Sequence, residues 1–291
     1  MDQIELKALG KVNLGLDVLG RRDNGYHDVR MVMQSVYLYD DICIKKKKEQ
    51  GIELTTNLFF LPANEKNLAY RAARLLLEEF QIDTGIRMHI EKRIPVAGGM
   101  AGGSTDAASV LFGINRLFQL GLSQKELMKR GETLGADVPY CILRGTALAE
   151  GIGEKLTPLP DLPKCIMVIA KPPVSVSTAK VYEKLDGTPI KEHPPIDGIL
   201  EGLQAGSLET VVKNMGNVLE SVTVKEYPVI ADIKESMIQN GAVNAMMSGS
   251  GPTVFGIFEN RRQAASAAKR LWEQRLAKQI YVTNVHRPGR R

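Results

Sequence analysis

The chain has 291 residues, which is long enough for two domains of ordinary size with buried cores. Apolar residues make up 44% of the sequence and charged residues 24%, a balance that excludes a disordered chain. The net charge of +5 suits an anionic partner, whether a nucleotide, a phosphorylated substrate or a nucleic acid. No apolar run approaches the roughly 20 residues that span a bilayer, so we expect a cytoplasmic protein without membrane contact.

The first segment of interest, KVNLGLDVLG, contains a lysine among small and apolar residues. A solvated lysine at the end of a strand is one explanation for Lys11, because buried lysines are rare. The other is a cation that stabilises a transferring phosphoryl group or an alkoxide. Asn13 would then face the same side of a strand as Lys11.

A turn is predicted next, at Asn24 and Gly25, and an aromatic pair follows it directly. Tyr26 and His27 are usually structural in such a place. Of the four histidines, His27 alone lies among residues suited to a pocket, and none has the spacing of metal ligands.

A glycine-rich segment, PVAGGMAGGSTDAAS, lies between a predicted strand and a predicted helix. Gly98 to Gly103 has the spacing of a P-loop, but Ser104 and Thr105 stand where the usual lysine should come first. Glycine lets a backbone approach an anion and adopt positive φ, which we expect at Gly102 and Gly103. The order of strand, loop and helix therefore predicts a phosphate-binding loop at a helix N-terminus.

The polar residues that follow the glycines leave alternatives open. Ser104 and Thr105 either cap the helix or contact phosphate or magnesium. We expect Asp106 to lie in the first helical turn, where an acid complements the helix dipole.

A second acid of interest, Asp137, lies in LGADVPYC, which we predict to be a turn leading to a strand. A capping box at Ser123 and Glu126 opens the helix before it. Asp137 is either a surface acid or Asx turn, or a carboxylate that accepts a proton from a substrate hydroxyl.

Three prolines in TPLPDLPK favour an extended connector, so we place a domain boundary there, with domains at 1–157 and 158–291. Beyond it we predict a buried strand in CIMVIAKP and a helix that carries Tyr182 as a half-buried aromatic. Residues 197–240 are predicted to be largely helical. Two strands joined by a small-residue loop, a helix and a closing strand complete the chain.

Three segments together, KVNLGLDV, PVAGGMAGGSTDAAS and NAMMSGSGPTVFGI, resemble the three motifs of the GHMP small-molecule kinases. The resemblance implies a two-domain α/β (α+β) fold, with a ribosomal-protein-S5-like N-terminal domain and a ferredoxin-like C-terminal domain that contributes to the substrate cleft. It implies ATP and Mg²⁺ as cofactors, with Lys11 supplying from another strand the cation that the glycine loop lacks. The expected ATP-binding residues of the glycine loop are Pro95, Val96, Ala97, Gly98, Gly99, Met100, Ala101, Gly102, Gly103, Ser104 and Thr105.

Within the family, segments such as RRDNGYHDVRMVMQSV and KPPVSVSTAKVY resemble kinases of a cytidine-diphosphate-linked alcohol in the non-mevalonate isoprenoid pathway. The implied reaction transfers the γ-phosphate of ATP to the 2-hydroxyl of a methylerythritol moiety. Asp137 matches the base, and Lys11 matches the lysine that polarises the hydroxyl. Asn13, Tyr26, His27 and Tyr182 match substrate-binding positions: the tyrosines stack on cytosine and His27 hydrogen-bonds it.

Two other functions remain open at this point. A GHMP kinase of another small alcohol, such as homoserine or mevalonate, shares the glycine loop. A basic nucleic-acid-binding protein is disfavoured, because lysine and arginine are dispersed and aromatic residues are only 5% of the chain. We expect no nucleic-acid partner, a monomer or weak homodimer, and no assignable metal ligands.

Overall fold

A computed structural model describes residues 1–288 of the chain. The strands in this part are β1 (Gln3–Arg21), β2 (His27–Lys47), β3 (Ile52–Thr56), β4 (Gly85–Glu91), β5 (Thr146–Gly151), β6 (Lys155–Pro158), β7 (Ile166–Lys171), β8 (Gly216–Asn217), β9 (Asn244–Met247), β10 (Val254–Phe258) and β11 (Gln279–Asn284). The helices are α1 (Leu68–Glu79), α2 (Gly102–Leu117), α3 (Gln124–Glu132), α4 (Val138–Leu143), α5 (Thr178–Asp186), α6 (Ile196–Gln204), α7 (Leu208–Lys213), α8 (Glu220–Glu226), α9 (Val229–Gln239) and α10 (Arg261–Glu273).

The chain forms two compact units, and neither is continuous in sequence. Unit 1 contains Met1–Gly10, Leu38–Val96 and Ala101–Leu143. Unit 2 contains Lys11–Tyr37, Ala97–Met100 and residues 144–288. Strands β1 and β2 each contribute residues to both units, and the glycine loop does the same. The proposed domain boundary after residue 157 stays a prediction.

In unit 1, helices pack beside a sheet made by the second half of β2 with β4 and β3. Strand β2 pairs antiparallel with β4, which pairs in parallel with β3. Helix α2 lies close to these strands because of Gly113, where a Cβ would come within 2.7 Å of the Leu6 and Ile44 side chains. The glycine loop therefore leads into a helix that approaches the core closely at Gly113 and buries most of its residues.

Unit 2 contains an antiparallel sheet with the order β11-β7-β10-β9. Helices α9 and α10 pack on it, and the chain passes through it as β7, α9, β9, β10, α10 and β11. This is the βαββαβ order of a ferredoxin-like unit, as predicted for the C-terminal part. The first half of β2 pairs with β5 and β5 with β6, while β1 pairs in parallel with β8.

Most predicted elements are present near their expected positions, with one correction after α3. The capping box of Ser123 and Glu126 opens α3 as expected. The second half of LGADVPYC is not a turn, because Val138–Leu143 forms α4. Pro139 lies in the first turn of that helix, where its missing N–H leaves no hydrogen bond unmade.

Among residues 1–288, no helix combines the length and apolar character needed to cross a bilayer.

Candidate active site

Lys11 lies in the buried middle of β1, where only 5% of the residue is exposed, so the solvated-lysine explanation is wrong. Asn13 is fully buried, and its side-chain oxygen accepts a hydrogen bond of 2.8 Å from the Lys11 ammonium. The two side chains share a face because strand side chains alternate with a period of two. Asn13 therefore orients a cation that the strand keeps out of bulk water.

The glycine loop has a backbone that turns repeatedly into the left-handed region. Ala97, Gly99 and Ala101 have φ values of +50°, +73° and +56°. Alternation of left-handed with ordinary residues points successive N–H groups towards a common centre, which is the geometry of an anion-binding nest. The expectation of positive φ at Gly102 and Gly103 is wrong, because both residues are already helical.

The loop is held in unit 2 by close backbone contacts. A Cβ at Gly99 would lie 2.1 Å from the Ser248 carbonyl oxygen, so the close approach requires glycine. The Ser248 hydroxyl donates to the Gly99 carbonyl at 3.0 Å, and the Lys11 backbone N–H donates to the Met100 carbonyl at 3.2 Å. These contacts bring together all three sequence motifs.

A second loop, residues 248–252, provides this support and is itself held by Asn217. The Asn217 side-chain amide donates to the carbonyl oxygens of Met247 and Gly249, at 2.9 and 2.8 Å. The sequence predicts a small-residue loop here but not the supporting roles of Ser248 and Asn217. The motif SGSGP carried a signal for Ser248, whereas Asn217 lies far away in sequence.

Helix α2 begins at Gly102, and its N-cap residue, Ala101, supplies no side-chain hydrogen bond. The first helical hydrogen bond runs from the Thr105 N–H to the Ala101 carbonyl, at 2.9 Å. The amides of Gly102, Gly103 and Ser104 precede it and carry the positive end of the helix dipole. The capping alternative for Ser104 and Thr105 is wrong, since both lie inside the helix.

The expectation that Asp106 lies in the first turn of α2 is wrong: the helix starts at Gly102, and Asp106 lies beyond its first turn as part of a buried ion cluster in unit 1. Lys92 contacts the carboxylates of Asp40 and Asp106, and all three side chains are almost inaccessible. Burial raises the pKa of Asp106 well above its usual value, against the opposing effect of Lys92. Burial lowers the pKa of Lys92, but the two carboxylates outweigh it and the net pKa is raised.

The cluster also fixes the start of α2. The Asp40 carboxylate accepts backbone hydrogen bonds from Arg93 and Ile94, which directly precede the glycine loop. Lys92 in turn pairs with Asp106 on the helix. The sequence does not predict the pairing of Lys92 with Asp40, because residues so far apart along the chain show no shared pattern.

Asp137 lies in unit 1, half-buried, and directly precedes α4. Its carbonyl oxygen accepts the first hydrogen bond of that helix, from the Cys141 N–H at 3.0 Å. The backbone of Asp137 is therefore fixed by a helix start whose following side chains, Val138 and Pro139, are buried.

The aromatic patch, which consists of Tyr26, His27 and Tyr182, lies in unit 2. Gly25, with φ of +86°, turns the chain so that Tyr26 lies 59% exposed at the tip of the β1–β2 hairpin. The rings of His27 and Tyr182 lie 4.7 Å apart at an interplanar angle of 32°. The structure thus brings together two residues that are far apart in sequence, while their role in substrate binding stays a prediction.

The chain matches known protein families over both its N-terminal and its C-terminal parts. The family model described as GHMP kinases N terminal domain matches residues 67–145, and the model described as GHMP kinases C terminal matches residues 199–278. The chain belongs to the GHMP kinases and is a small-molecule kinase, as predicted.

Within this family, the chain is similar to kinases of one particular acceptor substrate. The chain is 58% identical to the 4-diphosphocytidyl-2-C-methyl-D-erythritol kinase of Lachnospira eligens, over 99% of this chain and 100% of the relative. It resembles a crystal structure of 4-(cytidine 5'-diphospho)-2C-methyl-D-erythritol kinase with a TM-score of 0.84 and 33% identity, over 98% of this chain and 100% of the other. Homoserine kinase from Cytophaga hutchinsonii has a TM-score of 0.76 at 21% identity, over 98% of this chain and 95% of the other, which shows the shared fold alone.

Proposed function

We propose that this kinase transfers the γ-phosphate of ATP to the 2-hydroxyl of 4-diphosphocytidyl-2-C-methyl-D-erythritol, in the non-mevalonate route to isoprenoid precursors. The observation that carries the proposal is the full-length similarity, at 58% identity, to a protein of that name. The aromatic patch supports it, because rings and a histidine suit a nucleobase better than they suit a small aliphatic alcohol.

The glycine loop is the proposed site for the ATP phosphates, since kinases of this family use ATP as phosphate donor. The nest at residues 97–101 and the first amides of α2 present backbone N–H groups to an anion. Lys11 then adds the positive charge that neutralises the transferring group, with its ammonium oriented by Asn13.

Asp137 is the proposed base. Its carboxylate accepts the proton of the 2-hydroxyl as the oxygen–phosphorus bond forms, and ADP leaves with the electron pair of the broken bond. The role of Lys11 in this step is to stabilise the charge that develops on the attacking oxygen.

Mg²⁺ is the proposed metal, and the residues at the start of α2 fit it. Thr105 Oγ1 and Asp106 Oδ1 are buried oxygens without a hydrogen-bond partner within residues 1–288. Mg²⁺ prefers such hard oxygen ligands and is usually held by one or two of them together with substrate phosphates. Thr105, with Asp106, would hold the ion, which when bound would neutralise phosphate charge. A contact of the ion with Ser104 stays the alternative predicted from the sequence.

The test is a comparison of acceptors with purified protein and Mg·ATP. We expect phosphorylation of the cytidyl substrate, with kcat/KM at least about 10³-fold above that for homoserine or mevalonate, because an acceptor without a base leaves the polar groups of the patch unpaired. Equal or faster turnover of homoserine or mevalonate would contradict the substrate assignment and leave the kinase class intact. Size-exclusion chromatography in the same buffer tests the proposed monomer or weak homodimer.

A further inference from the structure

The aromatic patch contains a side-chain pair that reaches beyond the proposed binding residues. Asp186, at the last position of α5, lies one helical turn after Tyr182 on the same face. Its Oδ1 atom is 2.6 Å from His27 Nε2, a short hydrogen bond between residues 159 positions apart in sequence. Only 10% of the His27 side chain is exposed, so little solvent competes for the ring nitrogens.

The surroundings keep the Asp186 carboxylate in place. Its other oxygen lies 3.3 Å from Arg21 Nη1, so the carboxylate bridges a guanidinium and an imidazole. The His27 ring packs against the Tyr182 ring, which belongs to the same helix as Asp186. Ring position and ring orientation are therefore both fixed from α5.

This contact determines which nitrogen of His27 carries the proton. An ionised carboxylate has no proton to donate, so the hydrogen of the 2.6 Å bond must come from Nε2. In the neutral imidazole, a proton on Nε2 leaves Nδ1 with a free lone pair, and Nδ1 then accepts hydrogen bonds.

We propose that Asp186 is a positioning residue that holds His27 as the Nε2–H tautomer and thereby selects cytosine over uracil. The selection follows from the exocyclic group at position 4 of the base. Cytosine carries an amino group there, which donates to Nδ1, whereas uracil carries a carbonyl oxygen, which would face the Nδ1 lone pair. This inference rests on the proposed function, because it assumes that the patch binds the base.

The kinetic test compares the 4-diphosphocytidyl and 4-diphosphouridyl forms of the methylerythritol substrate. In Asp186→Ala, His27 is free to place its proton on Nδ1 and to donate to the uracil oxygen. We expect the ratio of kcat/KM values, cytidyl over uridyl, to fall at least about tenfold, the size of one lost polar match. The change should appear in KM for the nucleotide substrates, with kcat for the cytidyl form and KM for ATP unchanged.

The matched control is Glu183→Gln, which removes an exposed acid from the same helix. It should leave the ratio as in the wild type. An unchanged ratio in Asp186→Ala would overturn the proposal. This holds whether kcat/KM stays the same for both substrates or falls equally for both, which would mean a merely structural role.

A spectroscopic test needs no substrate. Long-range ¹⁵N–¹H spectra distinguish the two imidazole tautomers. The chain has four histidines, and the signals of His27 are identified by their loss in His27→Gln. We expect the Nε2–H form in the wild type and a shift towards Nδ1–H in Asp186→Ala. The same tautomer in both would overturn the proposal, even with an altered substrate ratio. If the wild type phosphorylates another alcohol and neither nucleotide substrate, the proposed function is wrong. The spectra then still test separately whether Asp186 fixes the tautomer of His27.

Discussion

The glycine loop and the aromatic patch are built in different ways, although residues of both belong to unit 2. The loop is held by contacts of the backbone itself: the approach of Gly99 to Ser248 leaves no room for a side chain. The patch is held by side chains, through the ring contact of His27 with Tyr182 and the hydrogen bond of His27 with Asp186.

This difference suits the two proposed tasks. A phosphate has the same shape in every substrate of the family, so a rigid backbone site serves all members. A base must be distinguished from similar bases, and side chains can be exchanged without changing the fold. The fold shared with a homoserine kinase at 21% identity agrees with this division, since the fold alone does not determine the acceptor.

The largest expected effect concerns the chemical step, for which we propose a base that belongs to neither the glycine loop nor the aromatic patch. Asp137→Asn should lower kcat by about 10²–10⁴-fold, because the amide keeps the shape but cannot take the hydroxyl proton. KM for both substrates should change little. Steady-state rates at saturating substrate provide the measurement, with Glu132→Gln, an exposed acid at the end of α3, as control. A loss below about tenfold would leave the base assignment without support.

The second prediction separates the cation from the backbone of the phosphate site. Lys11→Met should slow phosphoryl transfer by about 10²-fold or more while ATP affinity falls much less, since backbone amides carry most phosphate contacts. Single-turnover kinetics and calorimetric ATP titration measure the two quantities. Lys7→Met, an exposed change on the same strand, is the control. Normal chemistry with weaker ATP binding would make Lys11 a ground-state ligand.

The third prediction breaks the backbone support of the loop. Gly99→Ala places a Cβ against the Ser248 carbonyl at a residue with φ of +73°, so the loop must move. We expect a loss of about 1–3 kcal/mol in the free energy of unfolding, together with weaker ATP binding. Gly20→Ala is the control, because a Cβ there has nothing within 4 Å. Denaturant titration measures the free energy of unfolding. Equal values for the two variants would contradict the close approach of Gly99 to Ser248.

The fourth prediction breaks the patch without touching the loop. Tyr182→Ala should raise KM for the cytidyl substrate about ten- to a hundredfold, from loss of base stacking, while KM for ATP stays unchanged. Tyr182→Phe should be close to neutral, because the ring face makes the contact. An unchanged cytidyl KM in the alanine variant would exclude Tyr182 from base binding.

The same contrast explains what the sequence could predict. The loop lies between a strand and a helix whose periodicities are clear, so its position follows from local pattern. The burial of Lys11 could not be predicted with it, because a lone lysine in an apolar stretch is usually solvated. Its neighbour Asn13 was predicted on the same face, since the period of a strand decides that.

Long-range side-chain pairs account for the rest. Lys92 pairs with Asp40 and Asp106, and His27 with Asp186. These residues are too far apart in sequence for a local pattern to predict the contacts. The polar residues after the glycines were misplaced for a related reason. A cap at Ser104 or Thr105 was one of two open alternatives, and it is excluded because the left-handed turn at Ala101 starts the helix earlier.

The smallest expected effect decides which part of the loop the phosphates approach. Gly103 is an exposed residue in the first turn of α2, and a Cβ there would meet only Leu68 Cδ1, at an ordinary 3.7 Å. Since alanine is the better helix former, Gly103→Ala should raise the free energy of unfolding by up to about 0.5–1 kcal/mol. The same methyl group would stand beside an amide that we propose contacts phosphate, so ATP affinity should fall several-fold although stability rises. An increase in both stability and ATP affinity would indicate that the phosphates contact the nest at residues 97–101 and not the start of the helix. A loss of both would mean that the start of α2 has no room for a side chain, contrary to the geometry around Gly103. Denaturant unfolding and ATP titration of one variant therefore separate the two backbone elements of the phosphate site.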